Sequence, residues 1–165
     1  MAAMATRDLD AALGPAERGL LDSSTIIAFH SPAERAHPLA EHLFERIARP
    51  EDALRGYCSV VSAVELLVRP IRTGQERFTF MHTFLTQFPN FTVLPMDMVV
   101  AVQAATLRAT MSLPLPDAVV IASGLLAGCE AIVTNDRRWQ RRGETLFRQF
   151  RWLYLEVYLC GRPAP

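Results

Sequence analysis

Residues 115–139, LPDAVVIASGLLAGCEAIVTNDRRW, decide the fold. Asp117 follows Pro116 at the head of an apolar run, Ala118 to Ala127, that carries no other charge. The run is too long for one strand, and its small residues predict a helix buried on nearly all sides. Gly128 ends it, because glycine takes the left-handed conformation that a helix C-terminus needs. Ala131 to Thr134 then reads as a short strand rich in β-branched residues, running straight into Asn135 and Asp136. One carboxylate opens the helix and another closes the strand. In a parallel sheet those two ends lie on opposite edges, unless the Asp117 helix is the crossover that precedes the strand. This stretch by itself leaves both arrangements open.

Outward from it, the same alternation recurs along the chain. Gly19 to Leu21, Gly56 to Cys58, Phe91 to Leu94 and Phe150 to Leu155 read as further strands. Between them, Ser23 or Ser24 caps an apolar turn from Thr25 to Phe29, and Pro38 opens a helix with Leu39, Leu43 and Ile47 on one face. Ser59 caps Val60 to Val68, after which Pro70 and Gly74 punctuate. Gln75 to Phe88 and a segment capped by Asp97 are two more helices, and the last strand follows an Arg-rich segment. Strands too apolar to face water, alternating with helices, predict a parallel sheet of about five strands covered on both sides. The fold class is therefore α/β, a three-layer α/β/α sandwich. Residues 1–17, Ala-rich and broken at Gly14-Pro15, read as an extension, disordered or loosely helical. Residues 18–159 form the domain and 160–165 a tail.

Half of the 165 residues are hydrophobic, ample for one core. Net charge is zero, so no global field attracts a polyanion. All 17 basic residues are arginine, which removes every mechanism that needs a lysine. Cys58, Cys129 and Cys160 are far apart and lack zinc spacing, in keeping with a reducing cytoplasm. Charges at Arg7, Asp8 and Asp10 argue against a signal peptide, and apolar runs of about ten residues are too short for a bilayer. His30, His37 and His42 have no ligand-pair spacing and read as surface groups.

Four carboxylates stand where a core would not choose one: Asp22, Glu65, Asp117 and Asp136. Asp22 and Asp136 end short strands, at the edge where open α/β sheets place ligands. Glu65 interrupts an apolar helix. Each has a bland account, as a cap, a turn residue or half of an unseen ion pair. Together, a shared divalent cation is simpler, because hard cations bind and neutralise clustered carboxylate oxygens.

The motifs around these acids resemble those of PIN-domain ribonucleases. Asp22-Ser23-Ser24-Thr25-Ile26-Ile27-Ala28 resembles the opening motif, and Ser59 followed by Glu65-Leu66 the second. Asp117-Ala118-Val119-Val120-Ile121-Ala122-Ser123 resembles the third, and Thr134-Asn135-Asp136 with Trp139 the fourth. The likeness spans about residues 18–155 and is nearest to the VapC-type toxins of toxin–antitoxin pairs. It departs in two places: residues 1–17 precede the region of likeness, and Trp139 stands where Phe is usual.

The resemblance implies that the acids meet at the C-terminal edge of the sheet and hold one or two Mg²⁺ ions, which Mn²⁺ can replace. Ser24 and Asn135 would assist them. Arg137, Arg138, Arg141 and Arg142 follow Asp136 and read either as a solvated surface turn or as a clamp for RNA phosphates beside the metal. The resemblance also implies hydrolysis of RNA phosphodiesters by activated water, a small cognate antitoxin and a homodimer. Leu43, Ile47, Phe78 and Phe84 are more apolar surface than one small core needs, which points the same way. A non-catalytic scaffold that binds RNA or protein is the alternative, against which the four intact acids argue. A haloacid-dehalogenase phosphatase needs an Asp where Ser24 stands, a receiver domain needs a lysine, and Gly-rich nucleotide loops are absent.

Overall fold

The computed structural model describes residues 2–159, with side chains from residue 4 onward. Cys160 and the tail at 160–165 lie outside the described residues. In chain order the first elements are α1 (Ala2–Leu13), β1 (Arg18–Leu21), α2 (Ser23–His30), α3 (His37–Ala48), β2 (Arg55–Ser59), α4 (Val60–Thr73) and α5 (Gln75–Gln87). There follow β3 (Phe91–Leu94), α6 (Met98–Met111), α7 (Leu115–Leu126), β4 (Ala131–Thr134), α8 (Arg137–Leu146), β5 (Arg151–Tyr154) and α9 (Leu155–Leu159). The five strands form one sheet in the order β3-β2-β1-β4-β5, and every pair is parallel.

Side-chain alternation along the strands splits the interior into two cores. Leu21, Val133 and Leu153 turn to one face, where Leu43, Phe44 and Ile47 of α3 and Phe84 of α5 cover them. Leu20 and Ile132 turn to the other, against Val119 and Ile121 of α7 and Val100, Ala104 and Leu107 of α6. The register that pairs Leu20 with Ile132 and Leu21 with Val133 is what keeps each set on its own face. This is the three-layer arrangement that the alternating pattern predicted.

α7 settles the open question of the two edges. It precedes β4 and turns into it at Gly128, whose φ of +67° is the left-handed cap. The C-terminal end of α7 is thus beside the start of β4, and its N-terminal end, with Asp117, lies at the C-terminal edge of the sheet. β1 connects onward to β2 on one side, while β4 and β5 lie on its other side. The order in which strands are added therefore reverses between β1 and β4, and the crevice beyond their C-terminal ends is where such sheets bind ligands.

Four sequence expectations need correction. Residues 2–13 are not a loose extension: Ala5, Leu9 and Leu13 recur at helical spacing and are buried against the sheet's first face. A 12-residue helix is marginal alone, but each buried leucine contributes roughly 1.5–3 kcal/mol. Pro70 does not stop α4, which continues to Thr73. The Arg-rich segment is a helix, α8, because Asp136 caps it and Trp139 and Leu146 face the second core. Leu43, Ile47 and Phe84 are spent on the first core, so they form no surface patch.

Candidate active site

Four elements bring the four acids to one cavity of about 150 Å³, lined by Asp22, Glu65, Asp117 and Asp136 with Ser23 and Trp139. Asp22 is the residue after β1, and its backbone N–H donates to the Val133 carbonyl at 3.0 Å, extending the β1–β4 ladder by one residue. Its Oδ2 accepts from Ser24 Oγ at 2.8 Å and from Thr134 Oγ1 at 3.1 Å. Those hydroxyls are themselves pinned, since the Asn135 N–H donates to Ser24 Oγ at 2.8 Å and the Asp136 N–H to Thr134 Oγ1 at 3.0 Å. The ends of β1 and β4 are thus locked together around one carboxylate. Ser23 Oγ donates to Glu65 Oε2 at 2.7 Å and so fixes the second acid.

Glu65 does not interrupt a buried helix as expected. α4 is amphipathic, with Ser62, Ala63 and Leu66 inward and Glu65 on its exposed side, facing the crevice. Asp117 sits in the first turn of α7, half-buried, and its Oδ2 is 4.0 Å from Arg142 Nη1. Asp136 spends one oxygen on the cap of α8, accepting from the N–H groups of Arg138 at 2.8 Å and Trp139 at 3.1 Å.

Crowding shows in the protonation equilibria. Burial pushes Asp22 above the usual carboxylate range; its hydrogen bonds from Ser24, Thr134 and the Ser23 backbone pull it back, and Glu65 adds repulsion. Burial also raises Asp117, Arg142 opposes, and Asp22, Asp136 and Glu65 all push it further up. The cavity is therefore a place where negative charge is held at a cost. Its donors are carboxylate oxygens, the set that a hard divalent cation takes, so the residues present fit Mg²⁺ or Mn²⁺. Among the described residues no three His, Cys, Asp or Glu side chains are arranged to hold a metal ion as they stand. Direct contacts from some acids and bridging waters from others suit such an open set.

The other expected site residues fare differently. Ser24 does not line the cavity; it orients Asp22. Asn135 turns away, with Nδ2 3.5 Å from Glu156 Oε1 and Oδ1 buried without a partner among the described residues. The four arginines do not act as one clamp, because a helix sends them to different sides. Arg142 reaches Asp117 and the Ser112 carbonyl, the latter at 3.0 Å. Arg137 and Arg141 line a separate cavity, and Arg138 is exposed away from both. Ser23, Thr134 and the cavity face of Trp139 were not singled out as site groups. Ser23 and Thr134 each adjoin a motif acid, or stand two residues from it, which is the signal that could have found them. His30, His37 and His42 are half-buried rather than surface groups: His30 packs on Phe84 at 4.4 Å between ring centroids, His37 bonds the Ala28 carbonyl, and His42 meets Asp10.

A PIN domain family model matches residues 19–144. No curated protein matches the sequence. Among solved structures, a toxin–antitoxin complex from Klebsiella pneumoniae is 24% identical with a TM-score of 0.53, over 72% of this chain and 86% of that one. VapC20 of Mycobacterium tuberculosis, a toxin that cleaves the sarcin–ricin loop, is 16% identical with a TM-score of 0.60, over 76% and 95%. VapBC-1 from nontypeable Haemophilus influenzae is 12% identical with a TM-score of 0.60, over 84% and 98%. At these identities the likeness is one of fold.

Proposed function

The chain belongs to the PIN domain family, and from that premise we propose that it is a metal-dependent endoribonuclease, the toxin of a toxin–antitoxin pair. The observation that carries this reading is the convergence of Asp22, Glu65, Asp117 and Asp136 on one cavity at the sheet's topological switch point. The nuclease domain is residues 18–159, with α1 packed on it, and it works in the cytoplasm. No described helix is long and apolar enough to cross a membrane.

Asp22, Glu65, Asp117 and Asp136 would hold Mg²⁺, or Mn²⁺ in its place, directly or through waters. When bound, the ion lowers the pKa of water and stabilises charge on the leaving oxygen of the phosphodiester. The chain's own contribution is positional. Ser24 and Thr134 fix the rotamer of Asp22, Ser23 fixes Glu65, and the cap of α8 fixes Asp136. Arg142, drawn to Asp117, supplies positive charge beside the cavity for a phosphate. No side chain needs to serve as a nucleophile.

Two partners follow from the same reading: a small cognate antitoxin, and a second copy of the chain. Val64, Val68 and Ile71 of α4 and Met98, Val99 and Val102 of α6 are all exposed, an apolar surface that suits a twofold contact. Sedimentation at tens of micromolar should show a dimer, and a monomer there would remove that part of the proposal.

The central test is cleavage. Purified protein should cut RNA with Mg²⁺ or Mn²⁺, and a chelator should stop it. Asp22→Asn or Asp117→Asn should cut about a hundredfold more slowly, the order expected when a metal ligand or its support is lost. Equal cutting by wild type and both variants would mean a contaminating nuclease. A wild type that binds RNA and never cuts it would make the domain a scaffold.

A further inference from the structure

A second cavity, of about 280 Å³, lies on the far side of α8 from the acids. Arg137 and Arg141 line it from one face of the helix, with Gln140 and Glu144, while Trp152 and Tyr154 line it from β5. Neither arginine has an acid within ion-pair distance among the described residues. Glu144 is engaged by the Gln140 amide, which leaves the two guanidinium groups available.

The aromatic wall is rigid. Trp152 Nε1 donates to the Phe147 carbonyl at 3.1 Å, and its ring lies edge-on to Trp139 at 5.0 Å between centroids. It also packs where a Cβ on Gly143 would collide with it, so the helix can approach only because that residue is glycine. Tyr154 is held by its hydroxyl, which donates to Glu156 Oε2 at 3.1 Å. A fixed aromatic surface binds a flat ligand without paying to order itself.

Unpaired arginines beside aromatic faces make a surface for a phosphate joined to a planar ring. Single-stranded RNA offers that combination: its bases stack on Tyr and Trp, and its backbone meets guanidinium groups. The second amide hydrogen of Gln140 and the second oxygen of Glu144, which their mutual bond leaves over, would meet the edge of such a base as one donor and one acceptor. The volume sits just below the roughly 300–1,000 Å³ of ordinary ligand cavities, enough for one nucleotide and too little for a duplex. Position supports the same occupant. Arg137 directly follows Asp136, and Trp139, which lines the acid cavity, touches Trp152, which lines this one. A strand leaving the acids crosses only the first turn of α8 to arrive here.

We propose that this cavity holds one unpaired nucleotide of the substrate RNA, flanking the phosphate at the acids. The proposal rests on the ribonuclease reading and adds a subsite that would contribute to which RNA is cut. The test uses wild-type protein in chelator, so that nothing is cleaved, titrated into a labelled pool of mixed-sequence RNA hexanucleotides and followed by anisotropy. Arg141→Ala and Tyr154→Ala should each weaken binding about tenfold, the order of one lost phosphate or stacking contact. Arg148→Ala, an exposed arginine that does not line the cavity, should bind within about twofold of wild type and controls for lost charge. Arg141 is exposed, so its variant tests the site even if Tyr154→Ala fails to fold. A parallel cleavage assay with Mn²⁺ separates the two ideas. If wild type cuts RNA while folded Arg141→Ala binds the hexanucleotides as tightly, the subsite is wrong and the ribonuclease reading survives. If wild type cuts no RNA, the reading falls and takes the subsite with it. A labelled poly-glutamate peptide titrated in parallel is the other arm: if wild type binds it, and Arg141→Ala loses it while keeping RNA binding, the cavity is a protein-docking site and the proposal is overturned.

Discussion

Two groups of carboxylates in this molecule have opposite surroundings. Where α1 meets α3, Asp10 and Asp52 stand on Arg46 at 2.9 and 2.8 Å, and Asp10 also meets His42 at 3.0 Å. At the end of the sheet, four acids share a cavity with a single arginine 4.0 Å from one of them. The electrostatic outcome differs accordingly. The hydrogen bond from Arg46 holds Asp52 below the usual carboxylate range, whereas burial holds Asp22 and Asp117 above it. A chain with 17 arginines was able to place one on every acid of the first group. In the second it left the charge standing. Acids of the first kind tie elements together, and acids of the second kind are the ones that the proposed function reserves for a cation.

The largest difference between the groups should be in catalysis. Asp117→Asn should cut RNA about a hundredfold more slowly, while Asp52→Ala, measured well below its melting temperature, should cut within about threefold of wild type. Initial rates on one RNA with Mn²⁺ decide this. A comparable loss in Asp52→Ala would dissolve the distinction between the two groups.

The next effect runs the other way and concerns stability. Asp52→Ala removes two hydrogen bonds from Arg46 and one from the Leu54 N–H, and leaves a half-buried guanidinium short of a partner. Charge-assisted bonds in such a setting contribute roughly 1.5–3 kcal/mol, so the variant should lose about 2 kcal/mol in a urea titration. An unchanged midpoint would mean that the Arg46 network is solvated decoration.

The sequence made the second group legible and the first invisible. Asp22 and Asp136 follow apolar strands, and Asp117 opens an apolar helix, so local pattern alone marks them as misplaced. The pairing of Asp10 and Asp52 through Arg46 joins residues dozens of positions apart, and no periodicity reports it. For the same reason the docking of α1 escaped notice, although Ala5, Leu9 and Leu13 lie at helical spacing in an Ala-rich stretch that reads as loose. The five strands and their parallel order were readable because each strand is short, apolar and followed by a helix. α8 was not, because its polarity hides how few residues it needs to bury. Four arginines close together in sequence suggest one clamp, and only the helical turn shows that they face three ways. Asn135 belongs to the motif with Thr134 and Asp136, yet the backbone turns its side chain toward Glu156.

A smaller stability effect should distinguish the groups in the absence of metal. Asp117→Asn removes a partly desolvated charge that Asp22, Asp136 and Glu65 repel, although it also gives up the attraction of Arg142. In chelator the variant should be more stable than wild type, by up to about 1 kcal/mol once solvent screening is allowed for. Millimolar Mn²⁺ should then stabilise wild type, because the ion binds only the folded state, and stabilise the variant much less. If Asp117→Asn is destabilised in chelator and metal shifts both proteins equally, Asp117 is a helix-start residue and nothing more.

The smallest effect is the pH dependence of these two differences, and its sign is fixed by the opposite shifts. A carboxylate whose folded pKa is raised favours folding below its unfolded pKa and loses that contribution as pH rises through the folded value. Asp22 and Asp117 are of this kind, so their strain is greatest at neutral pH and fades as pH falls. A carboxylate whose folded pKa is lowered favours folding above its unfolded pKa and loses that contribution only as pH drops through the folded value. Asp52 is of that kind. Absolute stability also depends on His30, whose pKa is lowered by burial to about 4 and which therefore costs stability below its ordinary value of 6.5. Differences between wild type and a variant cancel His30, since all the proteins share it. In chelator, the advantage of Asp117→Asn should therefore hold above the raised folded value of Asp117, shrink as pH falls below it, and vanish only near the unfolded value of 3.8. The deficit of Asp52→Ala should stay flat over that interval and close only below about 4, near the unfolded value of 3.8. Urea midpoints of the three proteins at four or five pH values measure both curves. Two differences that move in parallel with pH would mean that the acids at the sheet edge are as well compensated as those on Arg46, and the case for a shared charged site would fail with them.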